Sequence, residues 1–313
     1  MISEKIAKRF GRRTAHSPKA FSKKHFFRRV FTMRKFFAMI LAITMLATLF
    51  VSCGEKQTDK NANNDSNPNQ AVADDSFQKI KDKGVFVLGF DENFPPMGFK
   101  EGSEYTGFDI ELARELFKRL NIELKLQPID WKANIMELNS GNVDCLWNGL
   151  TITADREKEI LFSEPYLKNE QVVVVMDSSP IKTLADLSGK KLGIQAGSSA
   201  NDALDAATDF KASLGEVVPF KDNMTAFMDL ESGGLDAVLV DSIVAGYNIT
   251  ASGKPYRILD EALAPEEYGI GFRKGDVALR DAINAELEAM AKDGTLAKIS
   301  TRWFASDITT IGK

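Results

Sequence analysis

Residues 138–147 read LNSGNVDCLW and residues 230–239 read LESGGLDAVL. In each stretch an apolar-periodic segment halts at Ser-Gly, the chain turns through an Asp, and an apolar run follows. Glycine just past a helix tolerates the left-handed backbone that closes it, so both stretches predict helix, stop and buried strand in that order. The echo implies two α/β units built alike.

Working outward from the first copy, the spacing predicts a strand over 85–90, an amphipathic helix over 108–120, a strand over 123–128, a helix over 133–139 and a strand over 143–147. Around the second copy it predicts strands over 191–195, 217–220 and 237–240 with helices over 199–207 and 224–232, then helices over 277–292 and 296–304. The runs QVVVVM (171–176) and YGIGFR (268–273) read as extended crossings between the units. Lobe 1 is therefore expected to comprise 77–170 and 269–313, with lobe 2, 171–268, inserted into it; two crossings suggest a hinge.

The chain begins differently. Residues 1–32 hold ten Lys or Arg against the single acid Glu4, and an apolar run from Phe36 to Val51 leads into Ser52-Cys53-Gly54. A basic stretch, a short apolar core and small residues are the order of an export signal, and the run is short for a membrane span. Residues 1–52 are read as a basic extension plus signal peptide, with an uncleaved anchor as the alternative and Met33 as an alternative start. Residues 53–76, rich in Asn, Asp and Gln, are read as a flexible tether.

Without residues 1–52 the chain carries 28 basic and 43 acidic side chains, a net charge of -15. That surface argues against nucleic acid as a partner. Both histidines, His16 and His25, lie in the basic extension, which rules out Ser-His-Asp or Cys-His chemistry in the remainder. No cofactor and no metal site is expected, and Cys145 has no partner cysteine for an intrachain disulfide if Cys53 is acylated.

Ligands of open α/β sheets sit beyond the carboxyl ends of strands. The residues there are Asp91 to Phe94, Asp130 and Trp131, Asn148 to Arg156, Ala196 to Ser199, and Asp241. Arg156 presents a planar fork suited to a carboxylate, or else a surface pair with Asp155 or Glu159. Ser198 and Ser199 open a helix, as an anion site or as ordinary caps. Asp241 caps the next helix or offers a carboxylate to an ammonium group. Phe94 and Trp131 supply flat apolar walls or core packing; Asp91 and Glu92 suit a polar side chain or, as an acid pair, a glycosidase-like role that their adjacency on a strand weakens.

The stretches GFDIEL (107–112), FDENFPPMGF (90–99), WNGLTITADR (147–156), FSEPY (162–166), GIQAGSSA (193–200) and LDAVLVD (235–241) resemble those of bacterial extracellular solute-binding proteins for polar amino acids, the receptors of ABC importers. The LFVSC segment ending at Cys53 likewise resembles a lipobox, whose cysteine becomes the lipidated first residue. The resemblance covers about residues 77–306. It implies an α/β, two-lobed Venus-flytrap (periplasmic-binding-protein) fold with two hinge crossings, a monomeric binding protein and not an enzyme, held outside the cytoplasmic membrane by a lipid anchor on Cys53 and delivering to an importer permease. It further implies that Arg156, Thr151, Ser198 and Ser199 take the α-carboxylate of an amino acid, that Gly149 and Asp241 receive its ammonium, that Phe94 and Trp131 sandwich its side chain, and that Asp91 reaches its polar end, with Asn148 and Leu150 completing the wall. A ligand-sensing module for a receptor, and a lyase or dehydratase using Glu92, are the alternatives.

Overall fold

A computed structural model of the chain describes residues 74–313. The basic extension, the apolar run, Cys53 and the tether through residue 73 lie outside them. Among the described residues no helix is long and apolar enough to cross a membrane.

The first unit runs α1 (Ser76–Lys83), β1 (Val85–Phe90), a small sheet of β2 (Asn93–Phe94), β3 (Gly98–Glu101) and β4 (Glu104–Thr106), then α2 (Phe108–Leu120) and β5 (Glu123–Pro128). A short 3-10 turn, Trp131–Ala133, leads into α3 (Asn134–Asn139), β6 (Cys145–Thr151), α4 (Ala154–Glu159) and β7 (Ile160–Phe162). Strand β8 (Leu167–Met176) opens the second series: β9 (Lys191–Gln195), α5 (Ser199–Ala206), α6 (Thr208–Ser213), β10 (Glu216–Phe220), α7 (Asn223–Ser232), β11 (Ala237–Asp241) and α8 (Ser242–Ser252). Strand β12 (Tyr256–Arg273) returns the chain to α9 (Val277–Lys292) and α10 (Thr295–Phe304).

All the larger strands join one sheet in the order β10-β9-β11-β8-β12-β6-β1-β5, with β7 on β12. The long antiparallel pair β8 and β12 thus stands between two parallel flanks, β10-β9-β11 on one side and β6-β1-β5 on the other. Alternate residues of β8 serve opposite faces: Val172 and Val174 join one apolar cluster, Val173 and Val175 another. A strand covered on both faces needs the unbroken apolar run seen there.

The echo is structural as well as textual. Gly141 and Gly233 end their helices at φ +77° and +79°. Asp144 Oδ2 accepts from the Val87 amide of β1 at 2.8 Å, and Asp236 Oδ2 accepts from the Lys191 amide of β9 at 2.8 Å. In each unit the turn Asp therefore ties its own strand to the neighbouring one, fixing the register of the pair.

Strand β6 is longer than the predicted 143–147. Tyr268 and Gly269 of β12 pair with Thr151 and Leu150, and Gly271 pairs with Leu146. This antiparallel partner carries the strand through Asn148–Thr151, all seven residues of β6 being buried, so those polar residues lie within the sheet and not in a loop after it. Helix α2 buries Phe108, Leu112, Ala113, Leu116 and Phe117 at the spacing of one helical face, each large side chain contributing about 1.5–3 kcal/mol. Asp109 is buried with them, and an acid in that position must be held by donors.

Candidate functional site

Arg156 stands in the first turn of α4, where Thr153 Oγ1 accepts from its backbone amide at 3.2 Å. The side chain is buried, with Nη1 donating to the Thr151 carbonyl at 2.9 Å and Nη2 to the Gly197 carbonyl at 3.2 Å. The surface pair with Asp155 does not form; that acid pairs with Lys158 at 2.6 Å. Burial lowers the guanidinium from its ordinary range, opposed by the more distant Asp202, Glu266 and Asp241. Among the described residues no acid pairs directly with Arg156, although two carbonyls cannot match a buried cation as a carboxylate would.

Gly197 belongs to the turn before α5, so the Nη2 bond joins the two flanks of the sheet. Ser199 Oγ makes a second such bond, donating to Thr151 Oγ1 at 3.0 Å. Gln195 Nε2 makes a third, donating to Asp91 Oδ2 at 2.7 Å. Burial raises Asp91, and the donations from Asn93 and Gln195 pull it back.

On the far side, Asp241 ends β11 fully enclosed. It sits at the start of α8 without capping it. Its Oδ1 instead accepts from Asn169 Nδ2 at 2.7 Å, Tyr268 Oη at 2.8 Å and Gln171 Nε2 at 3.1 Å. The same two amides reach Glu266 Oε2, Asn169 at 2.8 Å and Gln171 at 3.1 Å, and Thr151 Oγ1 donates there at 3.0 Å. Burial first, then the neighbouring Glu266, raises Asp241 to about 7.

A supporting layer sits beneath. Asp109 Oδ2 accepts from the Gly149 amide at 2.7 Å and from Tyr166 Oη at 2.9 Å, and burial raises it to about 7 against those two bonds. Gly149 has φ +59°, and a Cβ there would meet the Phe94 ring at 3.0 Å and the Tyr268 ring at 3.1 Å. Asn148 Oδ1 accepts from the Asp91 amide at 2.7 Å. The GFDIEL signature thus supplies the acid that pins the glycine of WNGLT, while the asparagine of that stretch holds Asp91.

The predicted residues divide accordingly. Arg156, Thr151, Ser199, Asp91 and Asp241 meet where the flanks approach, with Asn148 and Gly149 behind them. Ser198 Oγ turns back to the Gln195 carbonyl at 2.8 Å. Phe94 is packed beside Gly149. Trp131, read from its polar neighbours as a wall residue, is buried in an apolar cluster with Leu146 and Leu150 of β6 and with Ile160. Leu150 faces the same cluster. Asn169, Gln171, Gln195, Glu266 and Tyr268 were not singled out in the sequence; for all but Gln195, polar residues two apart in LKNEQ and PEEYG were the signal, since alternate strand residues share a face.

The family model of bacterial extracellular solute-binding proteins, family 3, matches residues 86–306. The chain belongs to that family. As a family 3 solute-binding protein it is similar to the L-cystine-binding protein TcyJ of Escherichia coli (strain K12), 32% identical over 234 residues, 74% of this chain and 86% of TcyJ. Its fold is similar to that of an ABC uptake transporter substrate binding protein from Streptococcus pneumoniae with bound histidine, with a TM-score of 0.74, 36% identity, and 76% of this chain and 99% of that one covered. The ancestral amino acid-binding protein AncCDT-1, described as a precursor of cyclohexadienyl dehydratase, has a TM-score of 0.67 and 33% identity over 73% of this chain and 99% of its own. The fold is that of the two-lobed members.

Proposed function

We propose that this chain binds a polar or basic L-amino acid between its lobes, outside the cytoplasmic membrane, and delivers it to an ABC importer. The observation that carries the reading is the complementary pair of buried charges: Arg156, held by carbonyls alone, and Asp241, held by uncharged donors alone. A zwitterion desolvated between lobes needs both of its charges met, and an α-carboxylate on Arg156 with an α-ammonium on Asp241 meets them. Thr151 and Ser199 flank the carboxylate end, the Gly149 carbonyl adds to the ammonium end, and Phe94 with Trp131 bounds the side chain. Asp91 and Gln195 meet its polar tip.

Strands β8 and β12 act as the hinge, dividing lobe 1 (77–170 and 269–313) from lobe 2 (171–268). The bonds Arg156 to Gly197, Ser199 to Thr151 and Gln195 to Asp91 join residues on opposite sides of that hinge. A ligand that strengthens such contacts shifts the open-to-closed balance, and a permease can read the outcome. Cys53 carries the lipid anchor, residues 53–73 form the tether, Asp74 and Ser76 instead accepting from the Ala278 and Leu279 amides of α9, and the protein works as a monomer. A relative named for L-cystine and a similar structure solved with bound histidine agree with a polar ligand.

Calorimetry with the twenty amino acids tests the reading. At least one is expected to bind tighter than about millimolar; silence from all twenty contradicts it. The likeness to a dehydratase precursor calls for one parallel assay, in which cyclic acids incubated with the protein are expected to come back unchanged.

A further inference from the structure

Asp241 and Glu266 lie on different strands, yet their carboxylates share donors. Asn169 Nδ2 bonds both Asp241 Oδ1 (2.7 Å) and Glu266 Oε2 (2.8 Å), and Gln171 Nε2 bonds both at 3.1 Å. The two oxygens are thus no further apart than two hydrogen bonds laid end to end. Like charges at that separation repel unless a proton or a cation lies with them. Gln171 offers two N–H groups to three acceptors, Ser199 Oγ being the third at 3.3 Å, so amides alone do not neutralise the pair.

The charged and titratable groups facing Asp241 are few. Glu266 and Tyr268 come from β12, and Arg156 from α4 acts through space; β8 presents only the uncharged Asn169 and Gln171, and α8 presents Ser242, which donates to Asn169 Oδ1 at 3.1 Å. Asp202 of α5 faces Arg156. The guanidinium therefore stands among several acids, and in the proposed function its charge is taken by the ligand carboxylate.

Resting on that function, we infer that Glu266 is a second carboxylate of the ammonium site, and that the Asp241–Glu266 pair holds one proton which it gives up to solvent when an α-ammonium group binds. The exchange balances: the protonated pair and R-NH3+ become the ionised pair bridged by R-NH3+, with H+ released. A surface cavity of about 700 Å3 lined by Asn169, Ser242 and Glu266, with the charged Lys168, Glu170 and Glu267 at the same opening, gives that proton an exit. Burial, assisted by Glu266, raises Asp241 to about 7, which puts the exchange within reach of ordinary buffers.

The test is calorimetry on the full folded protein with L-glutamine, L-arginine, L-histidine and L-cystine as probes, the tightest binder then being titrated at about pH 6 in two buffers of different ionisation enthalpy. Release of about half a proton or more per ligand is expected there, with affinity falling up to about tenfold per pH unit below about pH 7. Glu266→Gln should bind more weakly, having lost one of the two carboxylates, and its pH profile should move about one unit or more to lower pH. Heat with no dependence on buffer, or a Glu266→Gln profile that coincides with the parent's, overturns this inference and leaves the proposed function standing. Absence of heat with every probe overturns both. The buffer comparison on the unaltered protein decides the matter even if the variant misfolds.

Discussion

The two echoing segments make the same turn and deliver opposite charges. In lobe 1 the chain passes Ser-Gly and Asp144, enters β6, and continues for seven buried residues because β12 lies alongside; it then turns through Thr153 into α4 and presents Arg156. In lobe 2 it passes Ser-Gly and Asp236, enters β11, and stops after five residues on Asp241 itself. The turn chemistry, with its left-handed glycine and an acid that ties two strands, is common to both. What differs is where the strand ends, and that places a cation on one lobe and an anion on the other. In the proposed function a repeated scaffold thereby becomes a receptor for a molecule with two unlike ends.

Removing the lobe 1 charge should break this arrangement most completely. Arg156→Ala is expected to weaken binding of the best amino acid by about 3 kcal/mol or more, over about a hundredfold, in calorimetry. The melting temperature without ligand should barely change, because the guanidinium is held only by two carbonyls.

Removing the lobe 2 charge should cost about tenfold to a hundredfold in affinity for Asp241→Asn, since the amide keeps the shape and loses the charge. This variant also has a pH signature. Native Asp241 is raised from 3.8 to about 7, so between those values the native state binds more protons than the unfolded chain. The stabilisation that this confers is full below the unfolded value and is lost as pH rises through about 7. Asp241→Asn should therefore gain melting temperature relative to the parent between about pH 4 and pH 8; a constant difference would deny the raised value.

The support under lobe 1 should matter less for affinity and more for stability. Asp109→Ala leaves the buried Gly149 amide and Tyr166 hydroxyl without their acceptor and is expected to destabilise by about 1–3 kcal/mol in denaturant unfolding. The smallest effect is expected at the rim, where Phe99 of lobe 1 meets Tyr247 of lobe 2 at 6.0 Å between ring centroids. Phe99→Ala should weaken binding only about threefold.

The fold was readable because apolar runs and helical spacings alternate cleanly and because the echo announces two units. The charged ends of the site were readable for a related reason: Arg156 and Asp241 follow apolar strands, where polar side chains stand out. The middle was not. Asn169, Gln171, Glu266 and Tyr268 are strand residues whose importance comes from β8 lying beside β12, a pairing between segments far apart in sequence. The packing of Trp131 was hidden for the converse reason, since its polar neighbours say nothing of the hydrophobic face of β6 that it also meets. The role of Asp109 in the GFDIEL motif likewise emerges only when α2 is seen packed over Gly149.

A crystal structure of the complex with the tightest-binding amino acid tests the central claim most directly. The account predicts the α-carboxylate within hydrogen-bond distance of Arg156 Nη1 or Nη2 and the α-ammonium within that distance of Asp241. An amino acid bound with either end directed elsewhere, or bound outside the meeting of the two lobes, would contradict it.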